Sequence, residues 1–245
     1  MQLMTKNNKH PGIIFGSSFA YMLIGPIIFL IPLFILLKAY DSNFAFSLSY
    51  FQSKEFFFAS LVADAASKLI LISFFVVYLF SELKKNYLDF LKNIPKYILY
   101  IIVGVVLMIV ILIILNYIYR ILGIEGESNN QAILIEATNS SIRPIMLFSI
   151  VFAAPFVEEI IFRKLLFDFI EKTLKLSIWW AFGISTFVFA AIHVISDINS
   201  YVFIFQYLVL AAVISLSYVL SKKNIIVPMG IHFINNLISF LEIII

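Results

Sequence analysis

The sequence predicts an all-α, polytopic membrane protein: a transmembrane helical bundle with seven spans, or eight.

 Three observations carry this prediction of seven spans, with an eighth left open. Hydrophobic residues make up 62% of the 245 residues, charged residues only 13%, and the mean hydropathy is +1.04, whereas soluble domains are about a quarter charged. A membrane helix needs about 20 apolar residues, so this length leaves no room for a soluble domain. Long unbroken apolar runs, in place of alternating segments of about ten residues, exclude a transmembrane β-barrel.

Seven apolar runs are long enough to be spans. They lie near residues 13–37, 56–80, 97–119, 144–164, 177–196, 201–221 and 225–245. The first run contains Pro26 and Pro32 and is too long for a signal peptide, so we expect a kinked span that stays in the mature protein. The longest polar stretch runs from Arg120 to Arg143. A half-buried helix in that stretch would be an eighth element, and the sequence leaves this alternative open.

The distribution of lysine and arginine favours a cytoplasmic N-terminus, because positively charged loops stay in the cytoplasm. Seven spans place twelve basic residues on the side of the N-terminus: Lys6, Lys9, Lys84, Lys85, Lys92, Lys96, Arg163, Lys164, Lys172, Lys175, Lys222 and Lys223. The other side has Lys38, Lys54, Arg120 and Arg143. We therefore expect a multi-pass protein of a plasma membrane, in contact with lipid. The net charge of +3 is small and its basic clusters are short, so we expect no nucleic-acid partner.

The absence of cysteine limits the chemistry that this chain can perform. It excludes a disulfide framework, a thiolate nucleophile and a thiolate metal site. Any reaction must therefore use carboxylate, imidazole, amide or hydroxyl groups. Such groups are costly inside a bilayer and need a partner or a water-filled cavity. Asp64 and Lys68 are four residues apart in the second span and can neutralise each other, so we interpret them as a structural pair, with a functional role as the alternative.

The fourth span contains three charged residues, Glu158, Glu159 and Arg163. Glu159 and Arg163 are four residues apart and can pair, whereas Glu158 is turned about 100° from Glu159 and lacks that partner. An unpaired carboxylate in a low-dielectric cavity can exchange protons near neutral pH. The alternative is a charge cluster at the cytoplasmic end of a helix. Extension of this helix to Glu171 would put Glu158 near the middle of the membrane.

Two histidines lie in other spans. His193 follows Phe189 by four residues, so the two rings can pack together, and His232 precedes Asn236 by the same spacing. A lone histidine in a membrane helix is more often a hydrogen-bonding residue than a catalyst. Three separate helices that each offer such a group favour catalysis. His10 precedes the first span and is expected to be solvated.

These residues form three motifs in the order Glu158-Glu159-x-x-x-Arg163, Phe189-x-x-x-His193 and His232-x-x-x-Asn236. The ordered trio in a polytopic protein resembles the CPBP family of intramembrane proteases, the group of type II CAAX prenyl proteases and bacteriocin-processing enzymes. The resemblance covers about residues 148–239. We therefore expect residues 141–245, with four spans, to be a CPBP-like catalytic core. Residues 1–140, with three spans and the polar loop, form an N-terminal transmembrane region of unrecognised role.

The resemblance implies hydrolysis of peptide bonds in a chamber between helices. Our assignment gives Glu158 the role of general base on a water molecule and His193 the role of orienting that water. His232 and Asn236 would donate hydrogen bonds to the developing oxyanion. In support, Arg163 would hold Glu159, and Phe189 would fix His193.

A zinc ion is an alternative means of activating the water, since the family is usually named for metal. Its ligands would be Glu158, His193 and His232, a set of the kind found in catalytic zinc sites. That use consumes the unpaired carboxylate and leaves no base unless Glu159 separates from Arg163. We therefore slightly favour a metal-independent mechanism. The sequence has no H-E-x-x-H motif.

Other chemistries fit less well. Ser185 has no nucleophile-elbow sequence around it, and Asp64 is the only aspartate well embedded in a predicted span, whereas an aspartyl protease needs two. A transporter with a proton relay is disfavoured because the sequence has no internal repeat. A nonproteolytic scaffold or bacteriocin self-immunity protein, which binds a partner in the same cavity, remains the competing function.

The composition also suggests a setting. Three arginines against fourteen lysines are typical of AT-rich genomes, so we expect a low-GC bacterium. Prenylated substrates are then not expected. The substrates would be small membrane-associated or secreted peptides, in peptide signalling or bacteriocin immunity.

Overall fold

The computed structural model describes residues 10–40, 53–195 and 198–245. Within them the chain forms nine helices and no strand. The helices are α1 (Pro11–Tyr40), α2 (Lys54–Tyr78), α3 (Phe80–Lys92), α4 (Ile94–Ile121), α5 (Asn129–Thr138), α6 (Arg143–Thr173), α7 (Ile178–Val194), α8 (Ile204–Leu220) and α9 (Ile226–Ile244), and a 3₁₀ segment, Ile198–Phe203, precedes α8. The predicted cytoplasmic residues Lys6 and Lys9 and the end of the fifth predicted span at residue 196 lie outside the described residues.

The helices have the lengths of a membrane bundle. Among the described residues, six helical segments are long and apolar enough to cross a membrane. They are α1, α2, α4, α6, α9 and the segment Tyr201–Leu220, in which the end of the 3₁₀ segment extends α8, whereas α7 is a shorter apolar helix of 17 residues. The predicted fold class is therefore confirmed, and the span count is consistent with seven. The polar loop does contain an additional helix, α5, but its 10 residues extend only about 15 Å and are too short to span the bilayer.

Helix α6 is longer than the predicted span near residues 144–164, and it is the most buried of the six long helices. It continues past Glu171, so Glu158 lies at its middle. Three stretches of π-helix interrupt its α-helical geometry, Leu147–Ala153, Ile160–Leu165 and Phe169–Thr173. Pro155 explains the first of them, since a proline inside a helix cannot donate the regular hydrogen bond and crowds the preceding turn.

Helices α4 and α9 approach each other closely at two glycines. A Cβ atom on Gly104 would lie 2.5 Å from Cδ1 of Ile231, and one on Gly230 would lie 2.7 Å from Cδ1 of Ile101. Small residues allow such close approach between membrane helices. Because His232 directly follows this contact, the packing fixes the position of its ring along α9.

At one end of the bundle, amphipathic helix α3 packs beside the C-terminal half of α6. Lys164 forms ion pairs with Glu82 of α3 and with Asp168, and Lys172 also pairs with Asp168. The contact between Lys164 and Glu82 places α3 and the end of α6 on the same side of the bundle. Lys84 and Lys172, which the charge count assigned to one side, therefore do share an end.

Candidate active site

A cavity of 170 Å³ opens between six helices, and all four predicted catalytic residues line it. Its polar lining comprises Lys68 of α2, Gln131 and Thr138 of α5, Glu158 of α6, His193 of α7, Tyr207 of α8, and His232, Asn235, Asn236 and Ser239 of α9. The rest of the wall is apolar. The fold thus gathers groups that lie up to 78 residues apart in the motifs, from Glu158 to Asn236, into one small space.

The predicted pair of Glu159 and Arg163 is confirmed, and both side chains are fully buried. Arg163 Nε lies 3.2 Å from Glu159 Oε2, and Arg163 Nη2 donates to the Ala211 carbonyl of α8 at 3.3 Å. The other carboxylate oxygen of Glu159, Oε1, lies 2.7 Å from His232 Nδ1. Glu159 therefore does more than pair along its own helix, because it also fixes the imidazole of α9.

The contact between Glu159 and His232 sets the roles of the two ring nitrogens. A carboxylate paired with a guanidinium only accepts hydrogen bonds, so Nδ1 of His232 carries the proton. This leaves Nε2 to face the cavity, where it lies 4.0 Å from Glu158 Oε2. Nε2 donates a hydrogen bond only when the ring is an imidazolium. The carboxylate of Glu159 is well placed to stabilise that cation.

His193 lies between two aromatic rings. The predicted contact with Phe189 is confirmed, with ring centroids 4.5 Å apart, and the Tyr207 ring stacks on the imidazole at 4.8 Å. His193 Nδ1 lies 2.8 Å from the Phe189 carbonyl oxygen, which only accepts, so Nδ1 is the protonated nitrogen of the neutral ring. Nε2 of His193 is then an acceptor and can hold one hydrogen of a water molecule.

The buried ring of Phe189 also joins the other parts of the site. The Arg163 guanidinium carbon lies 4.5 Å from its centroid, and the His232 ring packs edge-on against it at 5.8 Å. Stacking of a guanidinium on an aromatic face is favourable in a water-poor interior. Phe189 therefore sets the separation of the two histidines as well as the orientation of His193.

Asn236 lines the cavity and its amide is oriented by neighbours. Asn236 Nδ2 donates to the Ile150 carbonyl of α6 at 2.9 Å, and its Oδ1 accepts from Asn235 Nδ2 at 3.1 Å. An amide nitrogen has two hydrogens, so one remains for a ligand in the cavity. These contacts fix the amide, and its proposed contact with an oxyanion stays a prediction.

Glu158 differs from the other charged residues of the site. Its side chain is 14% exposed, and Oε2 is buried and makes no hydrogen bond with any residue that the structure describes. Arg163 pairs with Glu159 and not with Glu158. The Glu158 carboxylate is therefore available to a polar ligand in the cavity.

The residues of the proposed zinc set do not form a ligand cluster. Among the described residues, no three histidine, aspartate or glutamate side chains are close enough together to hold one ion. Zinc binds its ligands at about 2 Å. As arranged, the side chains do not fit a three-ligand site.

Three further predictions about individual residues or pairs have an outcome. Ser185 is buried and donates to the Phe162 carbonyl at 2.9 Å, so its hydroxyl holds α7 against α6 outside the cavity. His10 is exposed, as expected. Lys68 and Asp64 pair at 2.5 Å, which confirms their predicted contact, but Lys68 also lines the cavity.

Sequence reasoning missed the contribution of α5 and α8. Tyr207 stacks on His193, and its hydroxyl lies 2.6 Å from the hydroxyl of Ser128. Ser128 is the N-cap of α5, where its side chain accepts from the amide of Gln131. The cap sequence could have predicted a helix at this point, but no local pattern indicates that the helix covers the cavity.

A known protein family matches the part of the chain that contains most of the site. Residues 140–238 match the type II CAAX prenyl endopeptidase Rce1-like family. The chain is also 32% identical over 127 residues to the membrane-embedded CAAX protease MroQ of Staphylococcus aureus (strain USA300). That alignment covers 52% of this chain and 49% of the relative, so the chain spans about half the length of the curated relative it matches. No solved structure matches the chain significantly.

The matched region contains all three motifs, and it confirms the resemblance to the CPBP family of intramembrane proteases for this part of the chain.

Proposed function

We propose that this chain is an intramembrane endopeptidase that hydrolyses peptide bonds of small membrane-associated or secreted peptides. One observation carries the proposal: a buried carboxylate oxygen of Glu158, without a hydrogen bond to any described residue, lies in a cavity that His193 and His232 also line. The matches to the Rce1-like family and to a CAAX protease support the same reaction.

The proposed reaction begins with a water molecule between Glu158 and His193. Glu158 accepts one proton of the water, while Nε2 of His193 accepts a hydrogen bond from the other and orients the oxygen toward the scissile carbonyl. The oxygen attacks that carbonyl carbon, and the carbonyl oxygen becomes an oxyanion. Glu158 then returns the proton to the leaving nitrogen as the peptide bond breaks.

The oxyanion would be held by His232 and Asn236. His232 donates from Nε2 as an imidazolium stabilised by Glu159, and Asn236 donates its second amide hydrogen. Both groups are held by neighbouring residues before a substrate arrives, so little reorganisation is required. Arg163 and Phe189 act as positioning residues, since they contact Glu159 and the imidazoles.

This mechanism uses no metal, and we keep it as the preferred alternative. Purified active protein should then contain far less than one zinc per chain and should survive chelation. Stoichiometric zinc that is lost in His193→Ala and His232→Ala, with activity restored by added zinc, would reverse the preference. Zinc would in that case supply Lewis-acid activation of the water.

We also propose that the N-terminus and the end of the bundle that carries α3 face the cytoplasm. The chain has no native cysteine, so single cysteines can be labelled cleanly. A cysteine at Lys84 or Lys172 should react from the cytoplasmic side and one at Glu127 from the outside. Labelling of the cysteine at 127 from the cytoplasmic side alone would overturn this topology.

The function is tested by deleting the gene and restoring the intact chain, Glu158→Gln or His193→Ala at matched levels. Lys84→Gln, which changes an exposed residue remote from the cavity, is the matched control. We expect the intact and control chains to restore both the phenotype and the lengths of cellular peptides seen by mass spectrometry, and the site variants to restore neither. Rescue by the site variants with no peptide changed in length would favour a nonproteolytic scaffold.

A further inference from the structure

Lys68 brings a cation into the wall of the candidate active site. Among the described residues it is the only lysine or arginine that lines the cavity, where it accompanies Glu158, His193 and His232. Its side chain is 16% exposed. A lysine in the interior of a membrane span is costly, so its presence beside a reaction centre indicates a functional role.

The contacts of Lys68 leave part of its ammonium group available. Nζ donates to Asp64 Oδ2 at 2.5 Å and to Ser149 Oγ at 3.3 Å. An ammonium has three donor hydrogens, so these two contacts leave one for a ligand. Asp64 does not belong to the cavity wall, and the cavity therefore meets the cation of the pair and not its carboxylate.

Lys68 and Asn236 lie along the same part of the wall. Ser149, which accepts from Lys68, directly precedes Ile150, whose carbonyl accepts from the Asn236 amide. Consecutive residues have Cα atoms about 3.8 Å apart. A group bound by Lys68 would thus lie near the amide that is proposed to hold the oxyanion.

We propose that Lys68 forms a carboxylate-binding subsite that selects substrates with a carboxylate close to the scissile bond. This inference rests on the proposed peptidase function and adds a substrate preference to it. A carboxylate is the ligand of choice because it forms a charge-assisted hydrogen bond with an ammonium, and such bonds are strongest where water is scarce. Asp64 and Ser149 hold the ammonium in place before the substrate binds.

The carboxylate can come from the C-terminus of the peptide or from an aspartate or glutamate side chain. Three forms of one membrane-anchored amphipathic peptide separate these sources: the free acid, the C-terminal amide, and the free acid with its acidic side chains replaced by amides. The full chain in nanodiscs would be assayed with each form for kcat and KM. We expect cleavage to depend on one of the two carboxylates. Its replacement by an amide should lower kcat/KM about tenfold, mainly by raising KM.

Lys68→Gln should lose this discrimination. The single change leaves Asp64 without its cation and could therefore destabilise the fold. The double variant Asp64→Asn/Lys68→Gln removes both charges and leaves no unpaired carboxylate. Lys84→Gln is again the matched control and should keep the wild-type preference. Retention of the preference by the double variant would overturn the subsite.

The outcomes also separate this subsite from the reaction itself. If the wild-type chain cuts all three peptides equally well, the subsite is refuted and the peptidase function stands. If the wild-type chain cuts none of them, the peptidase function is refuted and the subsite with it. An equal fall in kcat for every peptide in the double variant, with KM unchanged, would mean that Lys68 acts on the chemical step and would also refute the subsite.

Discussion

Helix α6 passes through two clusters of charged residues that differ in how completely they are paired. At its C-terminal end, Lys164 and Lys172 pair with Asp168, and Lys164 also pairs with Glu82 of α3. In its middle, Arg163 and His232 share Glu159, whereas Oε2 of Glu158 makes no hydrogen bond with a described residue. The first cluster holds two helices together. In the second cluster both partners contact Glu159, and the carboxylate of Glu158 is available for the proposed reaction.

The largest effect on activity is expected from Glu158→Gln. The change removes the base but keeps the shape of the side chain and strands no paired charge. We expect activity to fall by at least about 100-fold with folded yield and Tm nearly unchanged. Activity is measured on the membrane-anchored amphipathic peptide in its free-acid form. Full activity of this variant would contradict the assignment of Glu158 as the base.

Removal of Arg163, unlike the change at Glu158, should mainly lower the stability of the folded chain. Arg163→Ala leaves Glu159 as a buried charge without its main partner, which costs about 3–5 kcal/mol of stability. We expect low folded yield and a lower Tm in detergent. Lys172→Gln, which changes a half-exposed member of the terminal cluster, is the control and should cost about 1 kcal/mol or less. An equal fall in Tm in both variants would contradict the proposed difference between the two clusters.

Tyr207 tests the support of His193. Tyr207→Leu removes a ring contact of about 0.5–1.5 kcal/mol, so we expect kcat/KM to fall roughly 2- to 10-fold with little change in KM. Tyr207→Phe keeps the stacking and loses the hydroxyl that contacts Ser128, so its effect should be smaller. If Tyr207→Phe lowers kcat/KM as much as Tyr207→Leu does, the hydroxyl of Tyr207 and not its ring supports the site.

The smallest effect is expected at Asp89 of α3. Hydrogen bonds from Tyr97 and Asn224 hold the pKa of the Asp89 carboxyl below its ordinary value of 3.8. The unfolded chain therefore binds this proton more readily, so the stabilisation is complete above about pH 4 and is lost as the pH falls through the lower pKa of the folded state. Asp89→Asn should lower the Tm slightly at pH 7. The difference from wild type should shrink in acid, and a difference that grows in acid would contradict this sign.

The parts of the site that the sequence predicts are those within one helix. The contacts of Glu159 with Arg163 and of Phe189 with His193 follow from the spacing of four residues. The contact of Glu159 with His232 joins residues 73 positions apart and depends on how α6 and α9 pack. The π-helical stretches of α6 add to the difficulty, because they change which side chains share a face.

Features of the fold that depend on packing between helices are likewise not predicted by the sequence. Apolar run length predicts the spans, but the boundary of α6 depends on residues such as Phe167 and Ile170, which are buried by neighbouring helices. Tyr207 looks like any aromatic residue of a membrane helix until its stacking partner is known. The spacing of four residues predicts that Lys68 pairs with Asp64, but only the tertiary structure places Lys68 in the cavity wall.

The central claim is that Glu158 activates water for attack on a peptide bond. Its most direct test is the incubation of the purified chain and a membrane-anchored peptide in H₂¹⁸O, with mass spectrometry of the products. We expect the wild-type chain to release a fragment with ¹⁸O in its new carboxyl group and Glu158→Gln to release neither fragment nor label above background. Labelled fragments formed by both chains at equal rates, or no fragment formed by either chain, would contradict the claim.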